Sequence, residues 1–192
     1  MKLEVPVVRQ NKDSVDCGLA CLSMLFKYYK FNKSILNIKR DIKVYNHMGT
    51  YAPQLGKYLI ENGFEVELIT INPYIFNRKI SNKSSKELID YFEDLYKTNK
   101  KNKFKKSLKF FIEFLKAGGK LSIKVPTVDD IKEEISKNRP LGALITSNFL
   151  LSDKASFNFH FNLITGIDDK FIYVNDPMWD YRGGKHKYPI ND

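Results

Sequence analysis

The stretch Gln10 to Met24 reads Q-N-K-D-S-V-D-C-G-L-A-C-L-S-M and sets Cys17 at the start of an apolar-patterned helix, with an amide side chain just upstream. A thiol in that place faces the positive end of the helix dipole and backbone N–H groups that lack intrahelical partners. Both favour thiolate over thiol. An upstream Gln can supply a side-chain donor for an oxyanion. Cys17 is therefore a candidate nucleophile, and that constrains the fold. A base and a group to orient it must be brought to this helix start from elsewhere in the chain.

The chain offers three histidines, His47, His160 and His186. His160 opens the run H-F-N-L-I-T-G-I, where strand alternation gives its side chain a defined face. The next strand-like run, F-I-Y-V, leads into Asn175-Asp176-Pro177, and a turn at Asp168-Asp169 would lay Asp176 beside His160. A carboxylate there can accept the Nδ1 proton, fix the tautomer and stabilise the imidazolium. Cys17 and His160 are 143 positions apart, within the roughly 130–150 that separate nucleophile and base in papain-like enzymes. Plainer readings stand beside these: a packed core thiol, a satisfied strand histidine, a surface amide, and Asn-Asp-Pro as turn chemistry. Cys21 reads as core filler one turn below Cys17. Cβ atoms four apart on a helix lie about 5–6 Å from each other, a poor match to a disulfide, so both cysteines read as reduced. His47 and His186, in the polar stretches H-M-G-T and G-K-H-K, read as exposed bystanders. Trp179 reads equally as a cleft aromatic or a packed one.

Leu3 to Val8 is an extended lead-in, with Pro6 keeping it out of a central strand. Asp16 can cap the helix that follows, whose apolar face carries Ala20, Cys21, Met24, Leu25 and Tyr28 and should be central. Further helices are expected over Ser34–Ile42 and Ala52–Asn62, stopped by Gly63, and then a strand over Phe64–Ile71. Ser84 to Lys116 reads as two lysine-rich helices, with Leu88, Tyr91, Phe92 and Leu95 on one and Phe110, Phe111, Phe114 and Leu115 on the other, ended by Gly118-Gly119. Leu121–Val125 is a short strand. Thr127 begins a helix whose first-turn acids complement the dipole, with Asn138-Arg139-Pro140 as its stop. Leu141–Thr146, Phe159–Thr165 and Phe171–Val174 are β-rich runs that read as a closing antiparallel sheet. Helices first and a sheet last argue for an α+β fold in two lobes, the Cys17 helix packed on the sheet. Residues 1–192 read as a single domain with a lysine-rich helical insertion around 78–120.

A length of 192 residues with 43% hydrophobic and 14% aromatic content supports a packed core and argues against disorder. No apolar run approaches the 18 or so residues needed to span a bilayer, and Met-Lys-Leu-Glu-Val-Pro lacks a signal-peptide core, so no membrane segment and a cytoplasmic location are expected. The formal net charge of +10 is mostly lysine, densest in K-T-N-K-K-N-K-F-K-K-S-L-K from Lys97 to Lys109. With almost no Arg and few interleaved aromatics, that block reads as a solvated face, and a nucleic-acid partner is not expected.

The segments V-P-V-V-R-Q, D-C-G-L-A-C-L-S-M-L, H-F-N-L-I-T-G-I-D-D and Y-V-N-D-P resemble the papain-like cysteine peptidase superfamily that includes bacteriocin-processing, double-glycine leader peptidases. D-C-G-L-A-C with T-V-D-D-I, L-G-A-L-I-T and N-D-P is similar to a branch known as guanylyl cyclase domain-containing proteins. The likeness spans Val5 to Trp179, apart from the lysine block. It implies a papain-like two-lobed fold with Cys17 as nucleophile, His160 as base, Asp176 as orienting acid and Gln10 as oxyanion donor. Gln10 lies seven positions before Cys17 where the family pattern has six. Either a one-residue bulge in N-K-D-S-V restores its geometry or the oxyanion role does not carry over to Gln10.

Cyclase chemistry wants a phosphate cradle and paired metal-binding carboxylates. The chain has no Gly-rich phosphate loop, and Asp129-Asp130 and Asp168-Asp169 read as a helix start and a hairpin turn. Three scattered histidines and two cysteines on one helix make no metal set, and no cofactor is expected. Three functions remain: a Cys-His-Asp hydrolase cleaving a peptide, isopeptide or related acyl bond, an acyltransferase differing only in the acceptor, and a non-catalytic binding or adaptor protein on the same scaffold. The expected partner of the first is a peptide or protein substrate.

Overall fold

The computed structural model describes residues 1–45, 49–71, 75–76, 80–146 and 159–190. They divide into two compact units: 1–50 with 127–192, and 51–126.

In the first unit, α1 (Cys17–Tyr28) is buried at every position from Gly18 to Phe26. The expectation of a single apolar face is thereby corrected: C-G-L-A-C-L-S-M-L-F is apolar or small all round, and such a helix is enclosed instead of lying on a surface. It packs against α2 (Ile35–Asp41) and against the strand β4 (Phe159–Ile167). The sheet is antiparallel in the order β3 (Leu141–Thr146), β4, β5 (Phe171–Asp176), β6 (Gly184–Pro189). β6 falls on G-K-H-K-Y-P, a stretch without apolar alternation. As an edge strand it needs little burial and is set by its register on β5, from Phe171 opposite Pro189 to Asp176 opposite Gly184. The tip between β4 and β5 is closed by Asp168, whose Oδ1 accepts from the backbone N–H groups of Lys170 and Phe171, both at 2.8 Å. Its Oδ2 accepts from Tyr173 Oη at 2.6 Å, and these bonds hold the Asp168 pKa down to about 2. α6 (Val128–Ser136) packs on β3 and β4 and starts at the expected Thr127, which forms a capping box with Asp130.

The lead-in is tied to the sheet. Leu3 N donates to Thr165 O at 2.7 Å, Asn175 Nδ2 to Val5 O at 3.0 Å, and Gln10 N to Pro177 O at 2.7 Å. Residues 1–3 thus run beside β4, and Val5 and Gln10 lie at the end of β5, before the chain enters α1.

The second unit holds α3 (Ala52–Glu61), α4 (Ser85–Thr98), α5 (Asn102–Lys116) and a two-stranded parallel ladder of β1 (Glu67–Thr70) with β2 (Lys120–Ile123). A parallel pair needs a long crossover, which α4 and α5 supply. Leu88 and Phe92 face Leu108, Phe111, Phe114 and Leu115 in one core, with Phe76 edge-on to Phe92 (5.7 Å) and Phe111 (5.1 Å). The lysines lie outward: Lys116 bridges to Glu93 at 2.7 Å and Lys105 lies over Tyr96. Among the described residues no helix is long and apolar enough to cross a membrane.

Gly118, at φ +96°, turns the chain after α5, and Gly119 then passes directly beneath the Phe114 ring, where a Cβ would meet Cζ at 2.3 Å. Phe114 is fully buried and has nowhere to retreat. Gly119→Ala is expected to destabilise by about 1–3 kcal/mol through overpacking, read as a lowered denaturant midpoint at unchanged slope.

Candidate active site

The start of α1 is held by an ion pair between a buried carboxylate and a partly exposed lysine. Asp16 occupies the N-cap position and is fully buried, yet its side chain makes no capping bond. Both of its oxygens accept from Lys39 Nζ, at 3.0 and 2.8 Å. The capping role expected for Asp16 is therefore replaced by another: an ionised carboxylate taken out of water needs a cation, and Lys39 in the last turn of α2 provides it. The result ties α2 to the residue immediately before Cys17.

Cys17 itself is half-buried at the first position of the helix, while Cys21 is buried one turn below. His160 stands near the start of β4 and Asp176 ends β5, at 8% and 5% exposure. His160 Nε2 lies 2.8 Å from Asp176 Oδ1. The carboxylate can only accept, so Nε2 carries the hydrogen and Nδ1 is left for the sulfur. From the sequence, Asp176 is expected on Nδ1. The register explains the difference: Leu163 lies opposite Asn175, so Asp176 falls short of the level of His160, and the ring spans the offset with its distal nitrogen. Asp176 Oδ1 also accepts from Met178 N at 2.7 Å, which fixes the carboxylate from its other side.

Gln10 is buried at 7% exposure, and its Nε2 donates to Ser14 O at 2.7 Å. Between Gln10 and Cys17 the chain makes a turn, with Ser14 N donating to Asn11 O at 3.2 Å and Asp13 at φ +53°. Left-handed backbone is tolerated at an Asp in such a turn. One Nε2 hydrogen is used by Ser14 and the other is unassigned. Gln10 Oε1 is buried with no partner.

A family model described as the Peptidase C39-like family matches residues 2–192. The chain belongs to the Peptidase C39-like family. No curated protein matches it in sequence. Among solved structures it is similar to a double-glycine motif protease from an AMS/PCAT transporter, in complex with its leader peptide. That likeness is at 17% identity and TM-score 0.40, and it covers 99% of this chain and 83% of that one. The architecture of the first unit is α+β, with the cysteine helix against an antiparallel sheet.

Electrostatics in this C39-like chain act in opposite senses on the three residues around α1. Burial alone would lower the His160 pKa, but hydrogen bonding to Asp176 and Cys17, and the charges of both, outweigh it and raise it to about 9. Burial pushes the Cys21 thiol well up, reinforced by the charges of Cys17 and Asp176, so Cys21 stays a neutral thiol. His186 is not the exposed bystander its sequence suggests. It lies on β6 opposite Val174, stacked on Tyr188 at 6.1 Å, its Nε2 buried. His47 lies outside the described residues. Among the described residues no group of three or more His, Cys, Asp or Glu gathers to hold a metal. The sequence reading missed Lys39 and Met178 N. A lysine on a neighbouring helix and a backbone amide carry no local signal, although the dyad Asp16-Cys17 hinted that the carboxylate would need a partner.

A raised folded-state pKa stabilises the fold below the unfolded value and loses that contribution as pH rises through the folded value. The His160 contribution is therefore full below pH 6.5 and lost as pH climbs to about 9. His160 ring resonances in NMR should titrate near 9, and thermal stability should decline between those two pH values. In His160→Gln that decline should be absent. A ring titration at 6.5 would contradict the geometry.

Proposed function

We propose that this protein is a cysteine hydrolase in which Cys17 is the nucleophile, His160 the base and acid, Asp176 the orienting carboxylate and Gln10 an oxyanion donor. The observation that carries the reading is the buried His160 Nε2 to Asp176 Oδ1 bond, with the remaining ring nitrogen available to the Cys17 sulfur. Membership of the Peptidase C39-like family supports the same chemistry and a peptide or protein substrate.

The chemistry runs in two halves. Cys17 Sγ attacks the carbonyl carbon of the scissile amide while His160 holds the thiol proton on Nδ1. The carbonyl oxygen becomes an oxyanion, stabilised by the Cys17 backbone N–H, which has no intrahelical carbonyl at the first helical position, and by the second Nε2 hydrogen of Gln10. His160 gives its proton to the departing amine as the C–N bond breaks, leaving a thioester on Cys17. Water then gives a proton to His160, attacks the thioester carbonyl and releases the acid, and the proton returns to sulfur. Asp176, accepting from Nε2, keeps the ring in one tautomer and stabilises its cation throughout. Cys21, held as a buried neutral thiol, takes no part.

An electrophilic thiol probe should label Cys17 on the folded protein and leave Cys21 unmodified, as read by peptide mass mapping. Labelling should collapse in His160→Ala and survive in Lys187→Ala, a lysine on the exposed side of β6. Equal labelling of both cysteines, or labelling only after denaturation, would defeat the reading.

Gln10→Ala should leave labelling of Cys17 intact and slow peptide turnover by roughly 10²-fold, the scale for one oxyanion donor. An unchanged turnover rate would remove Gln10 from the site.

A further inference from the structure

The loop that joins β5 to β6 begins immediately after Asp176, and one exposed side chain of the lead-in is wrapped into it. Arg9 Nη1 donates to Asp180 O at 2.8 Å and to Trp179 O at 3.3 Å, and Nη2 donates to Gly183 O at 3.1 Å. Three carbonyls converge on one guanidinium, whose planar fork of donors suits such a set better than any other side chain. The next residue adds a main-chain tie, Gln10 N to Pro177 O at 2.7 Å, and Lys12 Nζ lies over the Trp179 ring at 5.5 Å.

The loop is doubled back on itself in a way that carries this clamp to the carboxylate. Gly183 passes so close to Met178 that a Cβ on it would lie 1.8 Å from Met178 O, so the two ends of the loop are packed directly against each other. Met178 N in turn donates to Asp176 Oδ1, the same oxygen that accepts from His160 Nε2. The contacts therefore run from Arg9 through Gly183 and Met178 to Asp176 and His160 without a gap. Arg182 does not duplicate the clamp, because its guanidinium is engaged with the Asp180 carboxylate within the loop.

We propose that Arg9 is a positioning residue for the site: by holding the 177–183 loop through three carbonyls, it fixes Met178 and so the Asp176 carboxylate against His160. The proposal rests on the hydrolase reading only for its effect on turnover. Its structural content, the placement of Asp176 on His160, stands apart from that reading. The charged groups that act on His160 are Asp176 on β5 and Cys17 on α1, and Arg9 reaches the ring only through the loop.

The test compares wild type, Arg9→Ala and Arg9→Lys, with Gly119→Ala as a variant destabilised in the other unit. The His160 ring titration is followed by NMR, together with kcat and KM on a cleaved peptide. In Arg9→Ala the titration should move from about 9 back toward 6.5. In the same variant kcat should fall roughly 10- to 100-fold with little change in KM, as expected when a catalytic group is displaced rather than substrate binding lost. Arg9→Lys should restore part of both, since an ammonium can satisfy some of the carbonyls but lacks the fork. Gly119→Ala should leave the titration where it is. A titration unmoved in Arg9→Ala, alongside a lowered melting temperature, would overturn the proposal and reduce Arg9 to structural support. If wild type cleaves nothing, the hydrolase reading fails, and the titration still decides for or against Arg9.

Discussion

The bond between His160 Nε2 and Asp176 Oδ1, 2.8 Å long and buried, is the contact on which the arrangement of the first unit turns. Neither partner is tolerable alone in that environment: an unpaired buried carboxylate or imidazolium would carry a desolvation cost of several kcal/mol. The bond requires β4 beside β5 in the observed register, a tip between them closed by Asp168, and a loop after Asp176 that keeps Met178 N on the same carboxylate oxygen. It also requires the ring to face α1, which the packing of α1 against β4 supplies.

A second constraint lies one residue before Cys17. Asp16 is as buried as any side chain in the protein, and Lys39 of α2 is what makes that possible. The negative charge of Asp16 is spent on Lys39 and leaves the N–H groups of the first turn of α1 uncapped by it. Helix N-terminal donors that are not satisfied by a cap are the ones available to an anion. The pair therefore serves the fold and keeps the helix start open at Cys17. Cys21 shows the contrast within the same helix: one turn deeper, without such donors, it is held neutral by burial.

Much of this was legible in the chain and some was not. The helix starts at Ser34, Ser84 and Thr127 are local events, written as a hydroxyl followed three residues later by a residue that reaches back, and each forms a capping box. The aromatic faces of α4 and α5 follow from helical spacing and pack as Leu88, Phe92, Phe111 and Phe114 indicate. The candidate site was also visible, because D-C-G and H-F-N-L-I-T-G-I and N-D-P each combine a reactive side chain with a local backbone signal. What escaped was non-local. β6 has no aliphatic alternation, only His186 and Tyr188 between exposed lysines, and is set by its register on β5. The enclosure of α1 on all sides could not be told from one apolar face, since its smallest residues fit either. The choice of Nε2 over Nδ1 depended on an offset between two strands that no motif encodes.

The sequence alone determined the candidate site residues and most of the helices and strands, because capping, turn formation and apolar periodicity act over a few neighbouring residues. Tertiary structure decided what each of those residues touches. Asp16 looks like a cap and became half of an ion pair, Gln10 met the Ser14 carbonyl, and Arg9 met three carbonyls from the far end of the chain. The physical reason is the same in each case. A buried charge, an unpaired carbonyl or a displaced amide takes whichever partner the packed chain brings within about 3 Å, and that distance is set by contacts remote in sequence.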